Sequence, residues 1–115
     1  MVDKRYKYER GQVILAETAQ YNHVQGGFRP YLIVQNNIGN KYSPNLILCP
    51  ITSNLKKQFS KTHVDLTSTF FIQPSTVMCE TILPISKEDV SSILGKLSNE
   101  EMSLVNNALR IELAL

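Results

Sequence analysis

Tryptophan is absent, and cysteine occurs only as Cys49 and Cys79. With no Cys-x-x-Cys spacing between them, neither a zinc knuckle nor a disulfide framework is expected, and a structural metal is not called for. No apolar run approaches the ~20 residues that a membrane helix needs, and Met1 to Tyr6 lacks the apolar stretch of a secretory signal. A cytoplasmic protein is the resulting expectation. Glycine and proline are sparse, five of each, and no tract is low in complexity, which argues against collagen-like or disordered chains. Charge of one sign is also scarce: the net charge of +2 is too small to hold nucleic acid by bulk electrostatics. The phosphate-cradling Gly-x-x-x-x-Gly-Lys, the dinucleotide Gly-x-Gly-x-x-Gly, the His-Glu-x-x-His of zinc hydrolases and the Gly-x-Ser-x-Gly of serine hydrolases are all missing. Nucleotide-cofactor and ordinary hydrolase chemistry therefore has no motif behind it.

What is present is an ordinary globular balance, 43% hydrophobic and 19% charged over 115 residues, enough for one core in one domain. Short, partly β-branched apolar runs predict strands over Val13 to Ala16, Tyr31 to Gln35, Leu46 to Thr52 and Val77 to Ile85, with a weaker one over Val64 to Leu66. Turn formers make loops of Gln25 to Pro30, Asn36 to Pro44 and Ser53 to Thr62. Asp89 to Leu94 reads as a helical turn ended by Gly95. In the tail, Met102, Val105, Leu109 and Leu113 recur at three- and four-residue steps behind a Ser98-x-x-Glu101 capping box, which predicts a C-terminal helix. The pattern implies a mainly β fold, a strongly bent barrel or half-barrel packed on one helix. Residues 1–9 are a basic stretch ahead of the first expected strand.

Two basic groups, Lys4, Arg5, Lys7 and Arg10, and Lys56, Lys57 and Lys61, are where an anionic partner would meet the chain, a solvated face being the plainer alternative. Arg29 follows a glycine pair, Gly26-Gly27, so little side-chain bulk shields its guanidinium, which could grip a phosphate through two parallel hydrogen bonds; a solvated turn arginine is the plainer alternative. Thr52 and Ser53 close a predicted strand beside a loop, where hydroxyls are readily presented to a ligand or simply end the strand. His23 and His63 are the only imidazoles, hence the only conventional bases near neutral pH. His23 shares a loop with Arg29 and is the better candidate; His63 opens a strand and reads as structural. Glu80 lies within an apolar run, so it must face outward or be paired.

The order Arg10-Gly11-Gln12-Val13, Gln25-Gly26-Gly27-Phe28-Arg29-Pro30, Ile33-Val34-Gln35-Asn36, Pro50-Ile51-Thr52-Ser53, Thr62-His63-Val64 and Leu97 to Met102 resembles the MazF/PemK toxins of bacterial toxin–antitoxin systems over residues 10–115. That resemblance implies an SH3-like barrel of the CcdB/PemK type, a homodimer, and a cofactor-free endoribonuclease that cuts single-stranded RNA to 2′,3′-cyclic phosphate and 5′-hydroxyl ends. It further implies a small acidic, MazE-like antitoxin laid over the RNA site. By the same matching, Arg29 and Thr52 are the catalytic pair, His23 a proton-transfer candidate, and Gln25, Phe28, Ser53, Glu80 and Thr81 substrate-binding residues. Val24 stands where many relatives have Glu, and Thr81-Ile82-Leu83 where many have Gln-x-Arg. A binding-only relative and a CcdB-like gyrase poison are the competing readings, separable by cleavage products and by supercoiling inhibition.

Overall fold

Side-chain alternation along adjacent strands sets the architecture. Residues directly opposite in a sheet share a face, so Val13, Leu32 and Cys49 line up across three strands on one side while Ile14 and Tyr31 line up on the other. The computed structural model describes residues 7–17, 28–53, 60–67 and 73–115. Its elements are β1 (Gln12–Ala16), β2 (Arg29–Ile33), α1 (Asn37–Tyr42), β3 (Asn45–Thr52), β4 (His63–Leu66), β5 (Ser75–Met78), β6 (Leu83–Ser86), a 3-10 turn (Lys87–Asp89), β7 (Val90–Lys96) and α2 (Asn99–Leu113). The strands form one antiparallel sheet in the order β4-β5-β3-β2-β1-β7, with β6 joined to β3 off that path.

Both faces of this sheet are buried at its centre, so one domain carries two apolar clusters. Val13, Leu32, Cys49, Ile51, Val64 and Val77 pack with Val105 and Ala108 of α2. On the other face Ile14, Tyr31, Ile33, Leu46 and Leu48 pack with Leu83, Ile85 and Tyr8. Because β4 and β7 end the strand order, the described strands form an open, bent sheet with a C-terminal helix rather than a hydrogen-bonded closed barrel, within the expected fold class.

Three local expectations are corrected. Asn36 to Pro44 is not all loop: the Asn36 side chain accepts from the Gly39 amide at 2.8 Å, so the turn formers cap a short helix. Val77 to Ile85 is not one strand. Three steps along β3, from Ile51 to Leu48, correspond to six along its partner, from Val77 to Leu83; the excess is looped out in a turn where Thr81 N donates to Met78 O at 3.2 Å. Asp89 to Leu94 is not a helical turn closed by Gly95. After Lys87–Asp89 the chain becomes β7, in which Gly95 pairs with Val13 and Ile93 with Ile14; strand pairing overrides the weak local signal. The C-terminal helix starts as expected, with Ser98 and Glu101 closing a reciprocal capping box.

Candidate active site

One part of the sheet has an apolar face toward α2 and a polar, partly exposed face away from it. Along β4 and β5, Val64, Leu66 and Val77 turn toward α2, so the alternating residues His63, Asp65, Thr76 and Met78 occupy the opposite face. Thr52 of β3 pairs with Thr76, and Thr76 with Asp65. Tyr31 pairs with Pro50, and the same register carried two residues further sets Arg29 opposite Thr52. Arg29, Thr52, Thr76 and Asp65 thus form one polar rung across four strands, each neighbour about 4.8 Å from the next along the hydrogen-bonding direction.

Within the rung, Thr76 Oγ1 donates to Asp65 Oδ1 at 2.9 Å, which fixes the carboxylate while Asp65 remains exposed. Arg29 is exposed at the first position of β2, and Phe28 beside it is 59% exposed. Ser53 follows Thr52 at the strand end and is exposed. Further along the same face, His63 Nε2 lies 2.8 Å from Glu80 Oε2, and Thr62 Oγ1 donates to Glu80 Oε1 at 3.3 Å. Glu80 and Thr81 sit in the turn between β5 and β6, so Glu80 projects from a turn rather than from within a strand. The structure therefore brings Arg29 and Thr52 together, sets Phe28 and Ser53 next to them, and places Glu80 and Thr81 at the far end of the same face. His23 and Gln25 lie outside the described residues.

Sequence reasoning passed over Asp65 and Thr76 and did not join His63 to Glu80. A signal existed in the polar–apolar alternation His63-Val64-Asp65-Leu66, but only strand pairing shows which polar face it continues. The chemistry of the rung is plain. A guanidinium donates to anionic oxygens in a planar fork, and a threonine hydroxyl can donate beside it. Asp65 and Glu80 as ionised carboxylates only accept, so they repel phosphate and favour amino groups. The face is thus polarised, with its cationic end at Arg29.

A fold and a polar face of this kind define a class. The model of the PemK-like, MazF-like toxins of type II toxin–antitoxin systems matches residues 9–113. The Endoribonuclease MazF of Staphylococcus saprophyticus is 38% identical over 109 residues, 92% of this chain and 91% of that protein. Endoribonuclease EndoA of Bacillus subtilis is 36% identical over 110 residues, 93% and 95% of the two chains. Among solved structures, a mycobacterial endoribonuclease in complex with its cognate antitoxin superposes with a TM-score of 0.80 at 25% identity, covering 94% of this chain and 96% of that one. MazF from Deinococcus radiodurans shares the fold, with a TM-score of 0.78 at 20% identity over 96% and 99% of the chains. The chain belongs to the PemK/MazF family of toxins of type II toxin–antitoxin systems.

Proposed function

We propose that this MazF-type endoribonuclease toxin cuts single-stranded RNA on the open face of β3, β5 and β4, with Arg29 and Thr52 at the scissile phosphate. The observation that carries the assignment is the pairing of Tyr31 with Pro50 and of Thr52 with Thr76, a register that, continued two residues, sets Arg29 opposite Thr52 at the edge of a polar face. In the reaction the ribose 2′-hydroxyl attacks phosphorus, the bond to the 5′ oxygen breaks, and the 2′-hydroxyl proton is removed as the leaving oxygen takes one up. Negative charge builds on the non-bridging oxygens. Arg29 stabilises that charge and Thr52 donates a hydrogen bond to one of those oxygens, a preorganised electrostatic effect. A guanidinium offers five N–H donors and no acceptor, so proton transfer falls to another group. His23 is the candidate.

Charge also orients the substrate. Asp65 and Glu80 on β4 and the β5–β6 turn disfavour phosphates, so the RNA backbone runs past Arg29 and its bases lie toward β5 and β4. Single-stranded RNA is read through such splayed bases; Asp65, steadied by Thr76, accepts from an exocyclic amino group there. Gln25, Phe28, Ser53 and Thr81 complete the substrate contacts, and no metal or cofactor is invoked.

A homodimer accounts for a second surface. A groove of about 490 Å³ lies between α2 and β3 and is lined by Val34, Ile47, Ile82, Leu109, Leu113 and Leu115. Ile47 and Ile82 are each 37% exposed and Leu113 52%, so an apolar strip along β3 and the C-terminal helix is available to a second copy. The inhibitor is a small acidic antitoxin that covers the RNA face, and the enzyme acts in the cytoplasm; no described helix is long and apolar enough to cross a membrane.

The test is incubation of the purified protein with a long single-stranded RNA in EDTA, alongside Arg29→Ala, followed by end mapping. Discrete cuts with 5′-hydroxyl ends, lost in the variant, are expected. Intact RNA that nevertheless binds would overturn the catalytic assignment and mark a binding-only relative.

A further inference from the structure

Cys49 and Cys79 are the only cysteines of the chain, and both are buried and reduced beneath α2. Ile51 pairs with Val77, so the same register two residues further sets Cys49 opposite Cys79 on the same face. The hydrogen-bond phase of the neighbouring ladders then identifies the kind of pair. Val34 N donates to Ile47 O at 3.0 Å; by alternation Leu32 and Cys49 form the next hydrogen-bonded pair of that ladder, so the backbone N–H and C=O of Cys49 point toward β2. Cys79 N donates to Thr62 O at 2.9 Å, toward β4. Neither residue turns its backbone groups on the other. The two therefore form a non-hydrogen-bonded pair, in which Cα atoms approach to about 4.5 Å and side chains come closest. That separation falls within the window of roughly 4.4–6.8 Å spanned by disulfides.

We propose that Cys49 and Cys79 are an oxidisable dithiol that closes to a cross-strand disulfide, tying β3 to the β5–β6 turn. The closeness of the two thiols separates their acidities: the neighbouring Cys49 holds the Cys79 thiol below its ordinary range against the opposing effect of burial, while Cys79 and burial push the Cys49 thiol up. Cys79, set in the turn after β5 while Cys49 lies inside β3, is thus the first nucleophile and Cys49 the resolving thiol. With hydrogen peroxide, the Cys79 thiolate attacks one oxygen and hydroxide leaves, giving a sulfenic acid; Cys49 then attacks that sulfur, the S–S bond forms and water departs. With glutathione disulfide the same two electrons pass to the oxidant, and two glutathione thiols are released. Thr52 lies three residues beyond Cys49 and Glu80 directly follows Cys79, so the tether joins the two ends of the polar face.

Because both thiols are buried, the test is an equilibrium rather than a rate. The full chain is brought to equilibrium with glutathione buffers of graded ratio, starting once from reduced and once from oxidised, refolded protein; acid quench, alkylation and mass spectrometry then report the disulfide. An intramolecular disulfide is expected at a glutathione-disulfide level roughly 100-fold lower in native buffer than in concentrated urea, as for a link that the folded chain favours. Its urea midpoint is expected above that of the reduced protein and to return with dithiothreitol. Equal or weaker formation in native buffer, or only glutathione adducts and intermolecular links, would overturn the proposal. Cys49→Ala and Cys79→Ala give the signature of a single thiol for comparison.

Discussion

In the proposed reaction the chemistry turns on Arg29, and its position explains why removing it should be clean. It is exposed at a strand start, opposite Ala16 of β1, so its side chain fills no core volume. Arg29→Ala is expected to slow RNA cleavage by at least ~100-fold, as for loss of one transition-state donor, with a thermal midpoint within about a degree of wild type. Single-turnover cleavage and calorimetry check the two halves. Asp65 makes a different prediction. Asp65→Asn replaces an acceptor by a mixed donor and acceptor and removes a charge, so the preferred base at one subsite should change by roughly tenfold, as for one polar base contact. Sequencing of cut ends from a random RNA pool checks this, and an unchanged profile would remove Asp65 from base recognition.

At the scale of elements, the start of α2 fastens the helix to the sheet. Glu101 is buried, and its carboxylate accepts from Ser98 N at 3.0 Å and from Thr67 N, just beyond β4, at 2.8 Å. Ser98→Ala removes one cap and should cost about 1 kcal/mol. Glu101→Ala leaves the part-buried amides of Ser98 and Thr67 without their acceptor and should cost about 1–3 kcal/mol; urea unfolding measures both. Gly11 enters β1 at φ 97°, a conformation that side chains resist, and its carbonyl accepts from Leu97 N at 2.9 Å. Gly11→Ala should therefore destabilise by about 1–2 kcal/mol through backbone strain, a loss the same unfolding curves would show.

For the whole molecule, the question is what covers the apolar strip formed by Ile47, Ile82 and Leu113. A dimer across β3 and α2 predicts a light-scattering mass of twice the chain at micromolar concentration. Ile47→Glu with Leu113→Glu should yield a folded monomer, since each buried apolar side chain contributes about 1.5–3 kcal/mol and each introduced carboxylate would be desolvated. A monomeric wild type would overturn the dimer, and a double variant that still dimerises would place the interface elsewhere.

The sequence by itself determined the β-rich class, the capped C-terminal helix, and Arg29 and Thr52 as candidates, because these follow from local periodicity, capping chemistry and an ordered run of motifs. Helix α1 was hidden because Asn36 serves turns and helix caps equally well. The break between β5 and β6 was hidden because the apolar run Val77 to Ile85 carries no mark of the three residues that β3 leaves unpaired. Only the tertiary structure decided that Arg29 lies across from Thr52, that Thr76 and Asp65 extend their rung, and that Cys49 faces Cys79. Those relations are matters of register between distant segments, and a one-residue slip would turn every one of these side chains to the other face.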